Sequence, residues 1–288
     1  MVVVVRTPPS ALLGDTTVRD YAHKLRLFNA FAQPELRQAI AELQLAPGMR
    51  ILDAGCGTGE ALGWLADAVA PRGRVVGLDL AAAHTAAARA RCPPETAVLQ
   101  ADLLRPPLVP ASFDLVWAVN TVNHLRDPLA ALKGLATLLR VGGRIALGQS
   151  SLLPDMYFSW DSRLERLTNE AVRRYYRDRY GIAERELAAV RAIVGLLRRA
   201  GLHDVSVRTL LIERVAPLRA TDENYLLEAV FRGTWAERLR PYLSSADYDE
   251  LRRLSDPAHR GYALKRPDFH FLQTFTLAVG GVTPASQH

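Results

Sequence analysis

The residues best suited to chemistry lie between positions 50 and 127, and a glycine-rich run after the first apolar strand is the most informative of them. Glycines alternate there with other residues between two carboxylates, in the order Leu52-Asp53-Ala54-Gly55-Cys56-Gly57-Thr58-Gly59-Glu60. Glycine lets the backbone turn tightly and approach a ligand closely, and the first N–H groups of a following helix face the same place. The run therefore predicts a strand-to-helix turn that binds a ligand.

The charges around this run separate two classes of ligand. A dinucleotide fingerprint wants its third Gly or Ala where this chain has Glu60, and Asp53 and Glu60 would repel a pyrophosphate. The same carboxylates suit a ligand that carries an ammonium and a sulfonium group. Asp79 ends the next apolar strand, where an acid can accept hydrogen bonds from both hydroxyls of a ribose. An ordinary tight turn would account for the glycines alone, but not for these acids.

With these residues identified, the segment from about 45 to 150 resembles the class I S-adenosylmethionine-dependent methyltransferases. The resemblance implies S-adenosyl-L-methionine as cofactor, with its ribose at Asp79 beside Leu80 and its adenine near Asp102 and Leu103. The amino-acid end of the cofactor would lie on the glycine-rich run, at Asp53, Gly55, Cys56, Gly57 and Gly59. Tyr21 is a further candidate from the N-terminal region, although its helical spacing with Phe28 and Phe31 favours a core position.

The run after the fourth strand resembles the small-molecule branch of that family, which includes quinone and natural-product methyltransferases. A histidine precedes Asp-Pro in this run, which extends as Ala118-Val119-Asn120-Thr121-Val122-Asn123-His124-Leu125-Arg126-Asp127-Pro128. Asn120 is a candidate cofactor contact or a helix cap. His124 is the candidate catalytic base, because an imidazole can accept a proton near neutral pH, but a histidine there could also pack or cap the next helix.

Elements that alternate between strand and helix must position these residues. Apolar strands are expected at 50–53, 74–79, 97–100, 113–119, 144–148, 205–212 and 269–279. A helix is expected from Pro128 to Arg140, and two helices in the N-terminal region, the second beginning near Pro34. We expect an α/β fold: a Rossmann-like, seven-stranded, mostly parallel sheet with helices on both faces, whose last strand the resemblance implies is antiparallel.

The whole chain, 1–288, is expected to form a single domain. Residues 1–46 would be an N-terminal helical lid and residues 47–150 the cofactor-binding core. Two stretches, 151–184 and 214–268, interrupt the strand pattern and are interpreted as helical insertions over the substrate site. In a parallel sheet, segments that leave the strands at their carboxyl ends emerge beside the ligand, so these insertions would form its roof.

Composition narrows the functional classes. The net charge of +6 invites nucleic-acid binding, but the basic residues are dispersed and mixed with acids, as on a solvated helix face. Two cysteines are too few for a disulfide framework, which favours the cytoplasm. The scattered histidines predict no metal site, and the short apolar run at the start predicts no membrane span.

These observations predict an S-adenosylmethionine-dependent methyltransferase. The acceptor would be a small, apolar or aromatic molecule, and the methyl group would move by in-line displacement. Two alternatives remain open at this point. One is an RNA or protein methyltransferase that uses the arginine-rich stretch after position 160. The other is an S-adenosylmethionine-binding protein that does not transfer methyl.

Overall fold

The computed structural model describes residues 22–93, 96–151, 157–158, 161–180 and 189–282. An eight-stranded sheet forms its centre. The strands are β1 (Arg50–Ala54), β2 (Arg74–Asp79), β3 (Ala97–Gln100), β4 (Phe113–Val119), β5 (Leu139–Ser150), β6 (Tyr157–Phe158), β7 (His203–Val215) and β8 (His270–Gly281). The candidate Tyr21 lies outside the described residues.

The strand order places the predicted ligand-binding turns side by side. β1 pairs in parallel with β2 and with β4, β2 with β3, and β4 with β5. β8 lies antiparallel between β5 and β7, so the predicted seven-stranded plan with an antiparallel last strand is confirmed. The two-residue strand β6 is an addition, paired to β8 beyond the end of β5. Because β1 to β4 all run the same way, their carboxyl ends meet at one edge of the sheet.

Helices cover both faces of the sheet. They are α1 (Ala22–Phe31), α2 (Gln33–Glu42), α3 (Glu60–Val69), α4 (Ala82–Arg91), α5 (Pro128–Thr137), α6 (Ser162–Tyr180), α7 (Ala189–Arg199), α8 (Ala220–Asn224), α9 (Ala236–Leu239) and α10 (Ser245–Ser255). A π-helix from Tyr225 to Trp235 joins α8 to α9. One buried cluster packs α2 and α3 on the first face, and a second packs α5 and α7 on the other.

Several predicted boundaries differ from the structure, and the largest difference is in β5, which runs from Leu139 to Ser150 where 144–148 was predicted. The helix that begins at Pro128 ends at Thr137 and not at Arg140, because Leu139 already pairs with Phe113 as the start of β5. β7 extends from His203 to Val215, so the helices of the second insertion begin only after it. β8 runs to Gly281, two residues beyond the predicted end, because Gly280 and Gly281 still pair with β5.

The helices of the N-terminal region and of the second insertion pack together near the carboxyl ends of the strands. α1 packs against α2, α8 and the π-helix, and α2 packs against β7. Phe31 of α1 stacks on Tyr225 at a ring-centroid distance of 4.3 Å. No helix in the described part of the chain has both the length and the apolar character to cross a membrane.

Candidate cofactor and catalytic site

The glycine-rich run forms a tight turn between β1 and α3. Gly55 has a φ of +83° and Gly57 a φ of +52°, in the left-handed region where a side chain is strained. The Gly55 N–H donates to the carbonyl of Leu78 at 2.7 Å, which ties the turn to β2. A Cβ on Gly55 would lie 2.3 Å from Thr121 Oγ1, so only glycine lets the loop after β4 approach the turn this closely.

Two other candidate residues of the run, Gly59 and Cys56, pack against neighbouring elements of the protein. Gly59 faces α4, where a Cβ would lie 2.9 Å from the backbone of Ala88. The Cys56 thiol is buried next to Gly77, and burial, reinforced by the charges of Asp53 and Asp79, raises the pKa of this thiol. Neither residue lines the cavity described next, so their side of the turn belongs to the packing of α3 and α4 on the sheet.

A cavity of about 390 Å³ opens at the carboxyl ends of the strands, in front of the turn. Eight of the residues selected from the sequence line it: Gly55, Gly57, Asp79, Leu80, Asp102, Leu103, Asn120 and His124. Seven further residues complete the lining: Leu25, Ala81, Ala82, His84, Val119, Thr121 and Leu125. The fold therefore brings the ends of β1, β2, β3 and β4 to one cavity, as the parallel order of the strands requires.

Asp79 anchors the centre of this cavity. Its Oδ2 accepts the N–H of Gly57 at 3.0 Å, and its Oδ1 accepts the N–H of Ala81 at 2.9 Å. His84 Nδ1 lies 3.2 Å from the same Oδ1. The carboxylate is thereby fixed between the glycine turn and the start of α4. Asp102, at the end of β3, accepts the N–H of Leu104 at 2.9 Å and faces the same cavity.

Asp53 and Glu60, expected to flank a cationic ligand together, have different environments. Asp53 is buried, and its Oδ2 has no hydrogen-bond partner among the described residues. Burial, reinforced by the charges of Asp79 and Glu60, raises the pKa of Asp53 to about 8. An isolated buried carboxylate of this kind is stabilised by a nearby positive charge.

Glu60 is instead engaged with protein groups. Its Oε2 accepts hydrogen bonds from Asn29 at 2.9 Å and from Thr58 at 2.6 Å. Arg91 Nη2 lies 3.1 Å from its Oε1, an ion-pair distance without hydrogen-bond alignment. Sequence reasoning could not anticipate these partners, because Asn29 lies in α1 and Arg91 in α4. The position of Glu60 thus links the N-terminal helices to the glycine turn.

The loop after β4 presents Asn120 and His124 to the cavity. Asn120 has a φ of +51°, and its Oδ1 accepts hydrogen bonds from the N–H and the hydroxyl of Ser150, both at 2.8 Å. It therefore joins the ends of β4 and β5, while Asp127 caps α5 by accepting the N–H of Ala130. His124 ends a 3-10 turn and is partly buried, and burial lowers its pKa below 6.5 against the opposing charge of Asp79. This lowered pKa favours the neutral form of the imidazole.

Seven lining residues were not selected from the sequence, and three of them have identifiable roles. Leu25 comes from α1 and lies 3.2 Å from where a Cβ of Gly57 would be, so the N-terminal helix covers the turn. Thr121 fills the gap between the turn and β4. His84 lies in the first turn of α4, five residues after Asp79. The spacing of His84 from a strand-end acid is the one local signal that could have identified it.

Comparison with known proteins agrees with this geometry. A methyltransferase-domain family model matches residues 52–147, the segment that forms the cavity. Nocamycin O-methyltransferase of Saccharothrix syringae is 30% identical over 231 residues, which cover 76% of this chain and 79% of that protein. The chain belongs to the class I S-adenosylmethionine-dependent methyltransferases. The cofactor of this family is S-adenosylmethionine.

Other relatives match a shorter part of the chain. The 27-O-demethylrifamycin SV methyltransferase of Amycolatopsis mediterranei is 35% identical over 117 residues, 39% of this chain and 42% of that protein. The chain spans between a third and a half of the length of the first curated relatives that it matches. Two of these relatives and nocamycin O-methyltransferase are named as methyltransferases of a demethylrifamycin, a naphthoquinone and nocamycin.

A solved structure supports the fold. Phosphoethanolamine N-methyltransferase 2 of Haemonchus contortus, solved with phosphomonomethylethanolamine and S-adenosylhomocysteine, superposes with a TM-score of 0.53 at 19% identity. The superposition covers 97% of this chain and 61% of that one. Two features of the described site fit the cofactor of the family. Gly55 and Gly57 leave a cradle that side chains would fill, and Asp53 keeps an unpartnered carboxylate oxygen.

Proposed function

We propose that this chain transfers the methyl group of S-adenosylmethionine to a small, apolar or aromatic acceptor by in-line displacement. The observation that carries the proposal is the composition of the cavity at the strand ends. Two carboxylates, Asp79 and Asp102, lie on its β2–β3 side, and a neutral imidazole, His124, lies beyond β4. A nucleoside with a charged side chain can therefore bind on one side of the cavity with a proton acceptor on the other.

The cofactor side of the cavity follows the strand ends. In the proposal, Asp79 accepts a ribose hydroxyl, and Asp102 with Leu103 faces the adenine. The turn at Gly55 and Gly57 takes the amino-acid end, and the unpartnered oxygen of Asp53 favours its positive charge from behind the turn. When bound, the cofactor supplies an already activated methyl group on its sulfonium.

His124 is proposed as the general base. A base contributes most where the acceptor is a weak acid such as a phenol or another hydroxyl. Burial lowers the pKa of His124, so its ring is free to accept the acceptor's proton near neutral pH. Among the described residues, no protein group hydrogen-bonds to either of its ring nitrogens. An imidazole without a protein partner at the cavity wall is available to a substrate.

The nature of the acceptor follows from the lining and from the relatives. Leu25, Val119 and Leu125 give the cavity apolar walls. The N-terminal helices cover the glycine turn, which supports the interpretation of residues 1–46 as a lid. The insertions at 151–184 and 214–268 would close the acceptor side. Relatives named as O-methyltransferases favour a hydroxyl oxygen as the accepting atom.

The arginine-rich stretch supports the small-molecule proposal over RNA binding. Arg163 in α6 forms an ion pair with Asp247 at 2.5 Å. Arg174 lies over the ring of Tyr242, with its guanidinium carbon 5.3 Å from the ring centroid. These arginines pack α6 onto the second insertion, which is a structural use of their charge. Both cysteines are free thiols, in keeping with the cytoplasmic location that we propose.

Calorimetric titration with S-adenosylmethionine tests the cofactor assignment. We expect Asp79→Asn to weaken binding about 10- to 100-fold, because one charge-assisted hydrogen bond contributes roughly 1.5–3 kcal/mol. The matched control is Asp249→Asn, an exposed acid in α10, which should bind like the wild type. Unchanged affinity in Asp79→Asn would overturn the ribose assignment. Absence of S-adenosylhomocysteine from a panel of phenols, quinols and macrolactone alcohols would overturn methyl transfer to this acceptor class.

A further inference from the structure

The hydrogen bonds of Asp79 leave it short of acceptor capacity for a ribose. A carboxylate offers about four lone-pair sites. Three are directed at protein groups: the N–H of Gly57, the N–H of Ala81 and Nδ1 of His84. One site remains for a ligand, whereas a ribose presents two neighbouring hydroxyls. Either a protein contact of Asp79 breaks when the cofactor binds, or the second hydroxyl needs another acceptor.

His84 is in the right place to be that acceptor. It lies in the first turn of α4, lines the same cavity, and its side chain, like that of Asp79, is 13% exposed. When the Nδ1–H group donates a hydrogen bond to Asp79, the neutral tautomer carries a free lone pair on Nε2. Within the described parts of the chain, no hydrogen bond or ion pair involves this Nε2 atom. The Asp79 carboxylate and Nε2 of the ring that contacts it can each accept one hydroxyl.

We propose that His84 is a ribose-recognition residue of the cofactor site, which accepts one ribose hydroxyl at Nε2 while Asp79 accepts the other. The inference rests on the proposed function, since it needs the nucleoside to lie at the end of β2. Asp79 fixes the ring orientation and the tautomer of His84, as a carboxylate commonly does for a functional histidine. Asp79 and His84 then act as a pair, and neither alone accepts both hydroxyls.

A cycle of protein and ligand changes tests this pairing. S-adenosylhomocysteine and its 2′-deoxy and 3′-deoxy analogues are titrated by calorimetry into the full chain and into His84→Ala. We expect His84→Ala to weaken S-adenosylhomocysteine about tenfold, as for the loss of one hydrogen bond in a partly buried site. One of the two deoxy analogues should bind the wild type about tenfold more weakly than S-adenosylhomocysteine does. His84→Ala should bind that analogue and S-adenosylhomocysteine with nearly the same affinity. That coupling requires contact between the ring and the missing hydroxyl.

Further variants separate recognition from folding. His84→Gln keeps an amide that can donate to Asp79 and accept a hydroxyl, so it should recover part of the affinity. His203→Ala, at an exposed histidine in β7, should bind like the wild type. The role of His84 would be overturned, and the proposed function left intact, by either of two results. One is unchanged or tighter binding of S-adenosylhomocysteine to His84→Ala; the other is that each deoxy analogue loses the same affinity in His84→Ala as in the wild type. Failure of the wild type to bind S-adenosylhomocysteine would overturn the proposed function as well.

Discussion

The two halves of the sheet are built in different ways. On the cofactor side, β1 to β4 each place a polar group within a few residues of their carboxyl ends, and backbone hydrogen bonds join the glycine turn to β2. On the acceptor side, β5, β7 and β8 depend on helices that come from both ends of the chain. The first half is held together by contacts that follow from the strand order. The second half is held together by contacts between segments that are far apart in the sequence.

Arg214 shows what holds the second half together. Its guanidinium, at the end of β7, donates to both oxygens of Glu35 in α2 at 2.8 and 3.0 Å. It also donates to Asp222 in α8 at 3.0 Å and to the carbonyl of Phe31 at 2.5 Å. Its side chain is 9% exposed, so these bonds lie in a low-dielectric setting. One buried cation thereby joins the N-terminal helices, the sheet and the second insertion.

The largest expected effect comes from a substitution that should impair methyl transfer and leave cofactor binding intact. His124→Gln removes the proposed base but no residue of the cofactor side. We expect kcat to fall about 10²- to 10⁴-fold, the usual contribution of general base catalysis, with S-adenosylhomocysteine affinity changed less than threefold. Single-turnover kinetics and calorimetry measure the two quantities. Full activity would assign His124 to packing.

The pH profile of the wild type gives a second view of His124. Because burial lowers its pKa, the neutral base form persists to more acidic pH than for an exposed histidine. Activity should therefore decline only at a pH more acidic than the range in which an exposed histidine becomes protonated. The acidic limb should disappear from the residual activity of His124→Gln. A limb that persists there would belong to another group.

Arg214→Met tests the dependence of the second half on one residue. The substitution leaves Glu35 and Asp222 without their shared cation, and we expect the free energy of unfolding to fall by about 3–5 kcal/mol. Urea denaturation measures it. Arg208→Met is the matched control, because Arg208 is 69% exposed in its ion pair with Glu42, and it should cost less than about 1 kcal/mol. Similar small losses in both variants would show that the helices are attached in another way.

Asp53→Asn tests the electrostatics behind the glycine turn. The folded-state pKa of Asp53, about 8, exceeds its ordinary value of 3.8, so the native state binds a proton that the unfolded state releases. Stability from this group is present at low pH and is lost as the pH rises towards 8. Between pH 6 and 8 the wild type should lose about 2 kcal/mol relative to Asp53→Asn. If the free energies of unfolding of the wild type and of Asp53→Asn changed with pH in parallel, the raised pKa of Asp53 would be contradicted.

The smallest expected effect compares two glycines that share a left-handed backbone. A Cβ on Gly55 would lie 2.3 Å from Thr121 Oγ1, whereas nothing lies within 4 Å of a Cβ on Gly48. Gly55→Ala should therefore destabilise the chain by about 2 kcal/mol more than Gly48→Ala, since overpacking adds to the same backbone strain. Thr121→Ala in the Gly55→Ala background should recover part of the loss. Equal costs would mean that the loop after β4 moves away freely.

Much of the cofactor side could be predicted from the sequence, for a local reason. Strands β1 to β4 are short apolar segments, and in a parallel sheet their carboxyl ends converge. Residues such as Asp79, Asp102 and His124 therefore face one cavity once the strands are recognised. The glycine turn was equally local, because its positive φ angles depend on the residue type. The boundary error near Arg140 arose because Leu139 fits a helix or a strand equally well, whereas the one near Gly281 arose because two glycines still pair with β5.

Only the tertiary structure decided which partners these groups have. Glu60 has a carboxylate at the predicted place, but its charge is engaged by Asn29 and Arg91, which the packing of α1 and α4 brings to it. His84 became a candidate only through its distance to Asp79. The sequence by itself determined the family, the cofactor and the order of the strand ends, because these follow from local patterns. The helices over the cavity and the Arg214 cluster depend on side chains far apart in the chain, and only their packing brings those together.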